Sequence, residues 1–228
     1  MLLKKWNDIP DTLKNENTKY YYDILNKKRF SIFLKRLFDF IVAAILLILL
    51  LPLFLIITVL VKVTSSGPIL YKQERITTYG KKFKIFKFRT MVENADKMGS
   101  LVTMDQDKRI TKVGHFLRKV RLDEIPQLFN VLLGQMSFVG TRPEVQRYVE
   151  RYSPDMLATL FMPAGITSLA SISFKDEDQY LSDEESIEDT YINKILPEKM
   201  KYNLEYIEKF NVFYDFKLML KTVLAVLN

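Results

Sequence analysis

The sequence predicts a mixed α and β chain, mostly helical, with a short β-hairpin and a monotopic, re-entrant helix-break-helix membrane segment. Three observations predict it. Phe40 through Val61 is a run of 22 residues without a charge, interrupted by Pro52. Ile69–Ile76 and Lys81–Arg89 are strand-like stretches separated by a short loop that ends in Gly80. Apolar residues recur every three or four positions in two later stretches, 125–133 and 198–227.

The uncharged run is long enough for a membrane helix of about 20 residues. Pro52 lacks a backbone donor and clashes with the preceding turn, so it breaks the helix near its middle. Each arm then spans about 15 Å, half the hydrocarbon thickness. Basic residues flank both ends, Lys27, Lys28, Arg29, Lys35 and Arg36 before and Lys62, Lys72 and Arg75 after, which favours the cytoplasmic side for each. The expectation is a re-entrant hairpin; a kinked spanning helix with an external N-terminus is the alternative. Three parts follow: residues 1–34 as an N-terminal amphipathic, interfacial segment, 35–63 as the membrane hairpin and 64–228 as a cytosolic domain.

The chain of 228 residues carries a net charge of +7, unevenly spread. Lys62 to Arg121 holds 15 basic and five acidic residues, whereas Asp176 to Asp189 holds eight acidic and no basic ones. The acidic run reads as a solvated loop or helix face. The basic region calls for an anionic partner: nucleic acid, membrane surface or a phosphorylated substrate. There is no cysteine, so disulfides, thiol nucleophiles and cysteine-ligated metals are excluded. The lone His115 cannot build a polyhistidine metal site and reads as a surface or packed residue. No glycine-rich dinucleotide or Walker loop is present.

Ile125, Leu128, Phe129, Leu132 and Leu133 form the stripe of an amphipathic helix that starts at Pro126 and stops at Gly134. Asp123 and Glu124 stand just before it. Their ordinary role would be to cap the helix and face its positive dipole end. Arg118, Lys119 and Arg121 precede the pair and Arg142 follows the helix, so carboxylates and guanidinium groups converge. Adjacent carboxylates can bind Mg²⁺ or act as a nucleophile, and arginines grip phosphate in a fork.

Five blocks in order carry a resemblance: Lys35-Arg36 with Phe38-Asp39; Gly67-Pro68-Ile69-Leu70-Tyr71-Lys72-Gln73-Glu74-Arg75; Phe83-Lys84-Ile85-Phe86-Lys87-Phe88-Arg89-Thr90-Met91; Leu122-Asp123-Glu124-Ile125-Pro126-Gln127-Leu128-Phe129-Asn130-Val131; and Met136-Ser137-Phe138-Val139-Gly140-Thr141-Arg142-Pro143. Together they resemble the bacterial sugar transferases, small monotopic polyprenol-phosphate phosphoglycosyl transferases, from about Lys35 to the C-terminus. The resemblance implies that residues 64–228 are catalytic. Asp123 would attack the β-phosphorus of a UDP-sugar, expel UMP and carry the phospho-sugar to a polyprenol phosphate such as undecaprenyl phosphate. This is the first membrane step of a surface glycan: exopolysaccharide, capsule, O-antigen of lipopolysaccharide, or glycoprotein glycan.

By the same likeness Asp123 and Glu124 would hold Mg²⁺, and Arg118 and Arg142 would bind substrate phosphate. Lys72, Lys87, Arg89 and Lys175 are further phosphate-binding candidates. Lys72, Lys87 and Arg89 have lipid-headgroup or strand-surface roles as the alternative. The expected partners are a UDP-sugar, polyprenol phosphate and membrane lipid, without nucleic acid, the chain being monomer or homodimer. The expected location is the cytoplasmic face of the bacterial inner membrane. Two departures from the family pattern stand out. Gly165 to Lys175 lacks the usual segment ending in Gly-Arg, and Lys175 keeps the charge there without the planar fork. Glu205 replaces an aspartate and reads as structural.

Two other readings share some features. A nucleic-acid module would explain aromatic residues interleaved with lysines on the hairpin, but it leaves the adjoining apolar run without a place. A non-catalytic membrane scaffold for glycan assembly would share the membrane segment and the basic surface, but it would not need Asp123.

Overall fold

The computed structural model describes residues 3–95, 107–174 and 187–227. Lys175 and most of the acidic run lie outside them. The chain opens with two 3₁₀ turns, Trp6–Asp8 and Asp11–Leu13, and a helix α1 (Glu16–Lys27). Asn15 and Thr18 form a reciprocal capping box at its start. One face of residues 3–34 packs on the rest of the chain. Leu3, Ile9, Leu13, Tyr22 and Leu25 are buried in the same core as Phe138, Phe161 and Met162. Trp6 packs 5.0 Å from Tyr22 and 6.4 Å from Phe161. The N-terminal segment is thus part of the globular body.

Helices α2 (Arg29–Leu49) and α3 (Leu51–Thr64) follow, bent by 64° at Leu50. Helix α2 starts six residues before the expected hairpin boundary at residue 35. Pro52 lies in the first turn of α3, where its missing donor is harmless, so it starts a helix after the break. No single described helix is long and apolar enough to cross a membrane. Phe40, Ile45, Ile48, Leu55, Ile56 and Val59 of the bent pair are exposed and uncovered.

The inner side of α2 buries Lys35 and Asp39 between the apolar Ile32 and Ala43. Lys35 is buried and paired with Asp215 of the C-terminal helix, whose other oxygen accepts from the Tyr206 hydroxyl at 2.8 Å. Asp39 accepts from the Phe138 amide at 3.3 Å. These partners explain why two ionisable residues of α2 can be buried.

Strands β1 (Leu70–Thr77) and β2 (Lys81–Phe88) form the expected antiparallel hairpin, with Leu70 opposite Phe88 and Thr77 opposite Lys81. Tyr79 at its tip has φ 58°, and its hydroxyl accepts from the Lys4 amide at 2.8 Å. Helix α4 (Lys112–Lys119) leads through a 3₁₀ turn, Leu122–Glu124, to α5 (Gln127–Leu132). Phe54 of α3 packs on Phe88 and Phe129, joining the bent pair to both β2 and α5.

A second sheet was not expected. Strands β3 (Met136–Val139) and β4 (Ala164–Thr167) pair in parallel, with α6 (Gln146–Val149) and a 3₁₀ turn, Met156–Phe161, between them. Gly140 and Gly165 permit this approach: a Cβ on Gly165 would lie 2.3 Å from the Gly140 nitrogen. Helix α7 (Leu169–Ser173) follows, capped by Ser168.

After α8 (Ile187–Thr190) a π-helical turn, Tyr191–Ile195, runs into α9 (Leu196–Lys209). The single C-terminal helical stretch read from periodicity is two helices. The chain turns at Phe210, which is fully buried, and Asn211 caps α10 (Val212–Leu227) by accepting from the Tyr214 amide at 2.9 Å. Phe213, Phe216, Leu220, Val223 and Leu224 of α10 form an exposed apolar stripe. Glu205 pairs with Lys209 one turn on, in keeping with a structural role.

Candidate active site

The dyad sits on a constrained turn. Arg121 adopts the left-handed conformation at φ 57°, ending α4 and turning the chain into the 3₁₀ turn that carries Asp123 and Glu124. Both carboxylates are buried, at 5% and 7% exposure, and their surroundings differ. Glu124 Oε1 accepts from Lys87 Nζ at 2.8 Å and from Arg142 Nη2 at 2.5 Å. Asp123 Oδ1 is buried without a hydrogen-bond partner.

Titration follows this asymmetry. Burial alone would raise the Glu124 pKa, but the charges of Arg142 and Lys87 overcome it and hold the carboxyl well below its ordinary value. Burial raises Asp123, and Glu124 beside it adds to the effect, while Lys87, Arg118 and Arg142 oppose it. Arg142 is raised by Glu124. Lys87 and Arg118 are lowered by burial, opposed by Glu124 and Asp123 respectively.

Lys87, Arg118 and Arg142 therefore share one field with the dyad. The other candidates lie elsewhere. Arg89 is buried and bound to Ser65 at the end of α3, with Nη2 2.6 Å from the Ser65 carbonyl. Lys72 is exposed on β1 with its ammonium 5.5 Å from the centre of the Phe86 ring. His115 is exposed on α4. Lys175 lies outside the described residues.

Sequence reasoning passed over Asn130, although it lies within a quoted block. It is fully buried and bonds to Lys84, Phe86 and Gln135. Only the fold reveals these partners, because two of them lie more than 40 residues away. Arg36 was read as part of a motif and as a basic flank of the membrane segment. It donates to the carbonyls of Val131 at 2.7 Å and Met136 at 3.1 Å, closing the C-terminal end of α5. Gly134, at φ 79°, makes the turn beside it.

No group of three or more histidine, aspartate or glutamate side chains suited to a metal occurs among the described residues. The two carboxylates, one with an orphaned oxygen, nevertheless suit Mg²⁺. That ion commonly takes one or two carboxylates and completes its shell with water and substrate phosphate.

The bacterial sugar transferase family model matches residues 30–228. Among curated proteins, the UDP-N-acetylgalactosamine-undecaprenyl-phosphate N-acetylgalactosaminephosphotransferase of Aeromonas hydrophila is 34% identical, over 86% of this chain and 44% of that protein. The UDP-glucose:undecaprenyl-phosphate glucose-1-phosphate transferase of Klebsiella pneumoniae is 39% identical, over 83% of this chain and 39% of that protein. The exopolysaccharide production protein ExoY of Rhizobium meliloti (strain 1021) is 33% identical, over 84% of each. The chain thus spans less than half the length of the first two and most of the third. With a matched segment that takes in the bent helix pair, the dyad and both sheets, the chain belongs to the bacterial sugar transferase family.

Proposed function

We propose that this chain transfers a phospho-sugar from a UDP-sugar to a polyprenol phosphate, undecaprenyl phosphate by analogy with the relatives' names. Asp123 is the nucleophile. Its carboxylate oxygen forms a bond to the β-phosphorus while the bond to the bridging oxygen breaks, and that oxygen leaves with UMP. A phosphate oxygen of the polyprenol phosphate then bonds to the same phosphorus, the aspartyl bond breaks, and the carboxylate returns. The product is a polyprenol-diphosphate-sugar, the first lipid-linked step of an exopolysaccharide or other surface glycan.

The observation that carries this reading is the division of labour in the dyad. Glu124 is committed to two cations, whereas Asp123 keeps a buried, unbonded oxygen. A nucleophile needs an available lone pair, and a desolvated carboxylate is a stronger one. Arg142 and Lys87 supply positive charge beside the dyad, where a diphosphate would sit. Asp123 and Glu124 would also hold Mg²⁺, which when bound neutralises diphosphate charge.

The same reading seats the bent pair in the cytoplasmic leaflet of the bacterial inner membrane as a re-entrant hairpin. The stripe on α10 would rest on the lipid surface. Residues before α2 and after α3 share one core, which favours a hairpin over a spanning helix. A covalent relay suits this setting, because a soluble donor and a lipid acceptor can use one site in turn.

The test is UMP release from a panel of UDP-sugars by the membrane-bound chain, with undecaprenyl phosphate and Mg²⁺. Release with at least one sugar, stopped by EDTA, is expected. A stable phospho-sugar adduct on Asp123, found by mass spectrometry when the acceptor is withheld, supports the relay. Turnover by Asp123→Asn at the wild-type rate counts against it.

A further inference from the structure

Strand β2 has one edge paired with β1 and an outer edge that no other strand covers among the described residues. The carbonyl of Lys84 and the amide of Phe86 lie on that outer edge, and one side chain meets both. Asn130 Oδ1 accepts from the Phe86 N–H at 3.0 Å, and Nδ2 donates to the Lys84 carbonyl at 2.8 Å. The carboxamide thus takes the place of one peptide group of a third strand. A further Nδ2 bond to Gln135 Oε1, at 2.7 Å, fixes which way round the amide lies.

These bonds join two parts of the site. Phe86 precedes Lys87, and Asn130 lies on the helix that follows the dyad. Lys87 Nζ is 2.8 Å from Glu124 Oε1, across 37 residues of sequence. The hydrogen bonds made by this one side chain span the gap between strand and helix beside that pair. A buried strand edge without a partner carries unsatisfied polar groups, so the end of β2 would shift to satisfy them.

Resting on the proposed phosphoglycosyl transfer, we infer that Asn130 is a positioning residue that acts as a surrogate strand on β2 and holds Lys87 within reach of Glu124. It touches no substrate and acts through Lys87.

The test is a double-mutant cycle on the full membrane-bound chain, reading kcat/KM for UMP release from the preferred UDP-sugar. Asn130→Ala is expected to lower kcat/KM by about 10- to 100-fold, the scale of a misplaced group. In a Lys87→Met background the same change should cost less than about twofold, because the residue it positions is gone. Equal losses in the two backgrounds would overturn the assignment, since a general structural defect does not depend on Lys87. So would an unchanged kcat/KM in the folded variant. If Asn130→Ala is not recovered folded, Asn130→Asp is measured in both backgrounds by the same criterion. It keeps the size and the Phe86 bond but sets a carboxylate oxygen against the Lys84 carbonyl and Gln135. A wild-type chain that releases no UMP would instead overturn the functional reading, which keeps the two failures apart.

Discussion

Asp123 and Glu124 are neighbours in the chain and almost equally buried, yet their carboxyl groups are pushed in opposite directions. Glu124 is held ionised by two cations 2.8 Å and 2.5 Å away, while Asp123 has an oxygen with no hydrogen-bond partner. One carboxylate is committed to cations and the other keeps an oxygen free of hydrogen bonds.

Asp123→Asn separates catalysis from stability. Loss of the nucleophile should lower UMP release by about a thousandfold or more. Because burial raises the Asp123 pKa, the folded state holds its proton more tightly than the unfolded chain does. The associated stability is present at low pH and is lost as pH rises through the folded value. At pH 7 the variant should therefore melt above the wild type, the gap closing as pH falls through the Asp123 titration. Differential scanning fluorimetry between pH 4 and 8 reads this; a variant that melts lower at pH 7 contradicts it.

Glu124→Gln has the opposite signature. Its carboxyl is depressed below the ordinary 4.5, so its contribution is complete above that value and is lost as pH falls through the folded pKa. Removing the charge leaves Lys87 and Arg142 without their shared anion and should cost about 2–4 kcal/mol at pH 7. The wild type should lose this advantage in acid, so the two urea midpoints converge below pH 4.5. Parallel midpoints at all pH values would remove Glu124 from this role.

Lys35→Met breaks the buried tie between α2 and α10. Asp215 would be left without its cation, near Asp39, and the cost should be about 3–5 kcal/mol. Lys35→Met with Asp215→Leu should recover much of it, because an apolar pair can replace a buried ion pair. Detergent-resistant recovery and melting temperature measure both; a double variant no better than the single one would show that the ion pair is not the source of the loss.

Topology can be read with a single reporter, because the chain has no cysteine. Asn7→Cys lies in the exposed part of the N-terminal segment that packs on the core. In the proposed seating it should react with impermeant maleimide only in inside-out vesicles. Labelling in right-side-out vesicles would return the bent pair to a spanning path.

Much of the local structure was legible. Hairpin ends and the stop at Gly134 follow from turn chemistry and positive φ, which are properties of neighbouring residues, whereas α5 buries Leu128, Asn130 and Val131 and leaves Phe129 and Leu133 of the expected stripe exposed. Strands β3 and β4 were not legible, since each has only four residues and β3 is buried throughout, leaving no alternation. The turn at Phe210 interrupts a periodicity that continues on both sides of it. The start of α2 was hidden by Lys35 and Asp39, whose charges are answered by partners such as Asp215, remote in sequence. At the site, Asp123, Glu124, Arg118 and Arg142 could be proposed from their order. The pairing of Lys87 with Glu124 and the bonds of Asn130 to β2 depend on folding, because their partners are 37 to 46 residues away.

Arg36 belongs to the helix proposed to dip into lipid, and its guanidinium grips the carbonyls that end α5. Asp123, the proposed nucleophile, lies just before the other end of that helix. In the proposed seating, the depth of the hairpin sets the elevation of Asp123 above the bilayer. A lipid-borne phosphate is confined to a narrow layer of headgroups, so this linkage works as a ruler. Only an acceptor presented at that level would meet the aspartyl phosphorus, and selection by position would precede any recognition of the acceptor's chemistry.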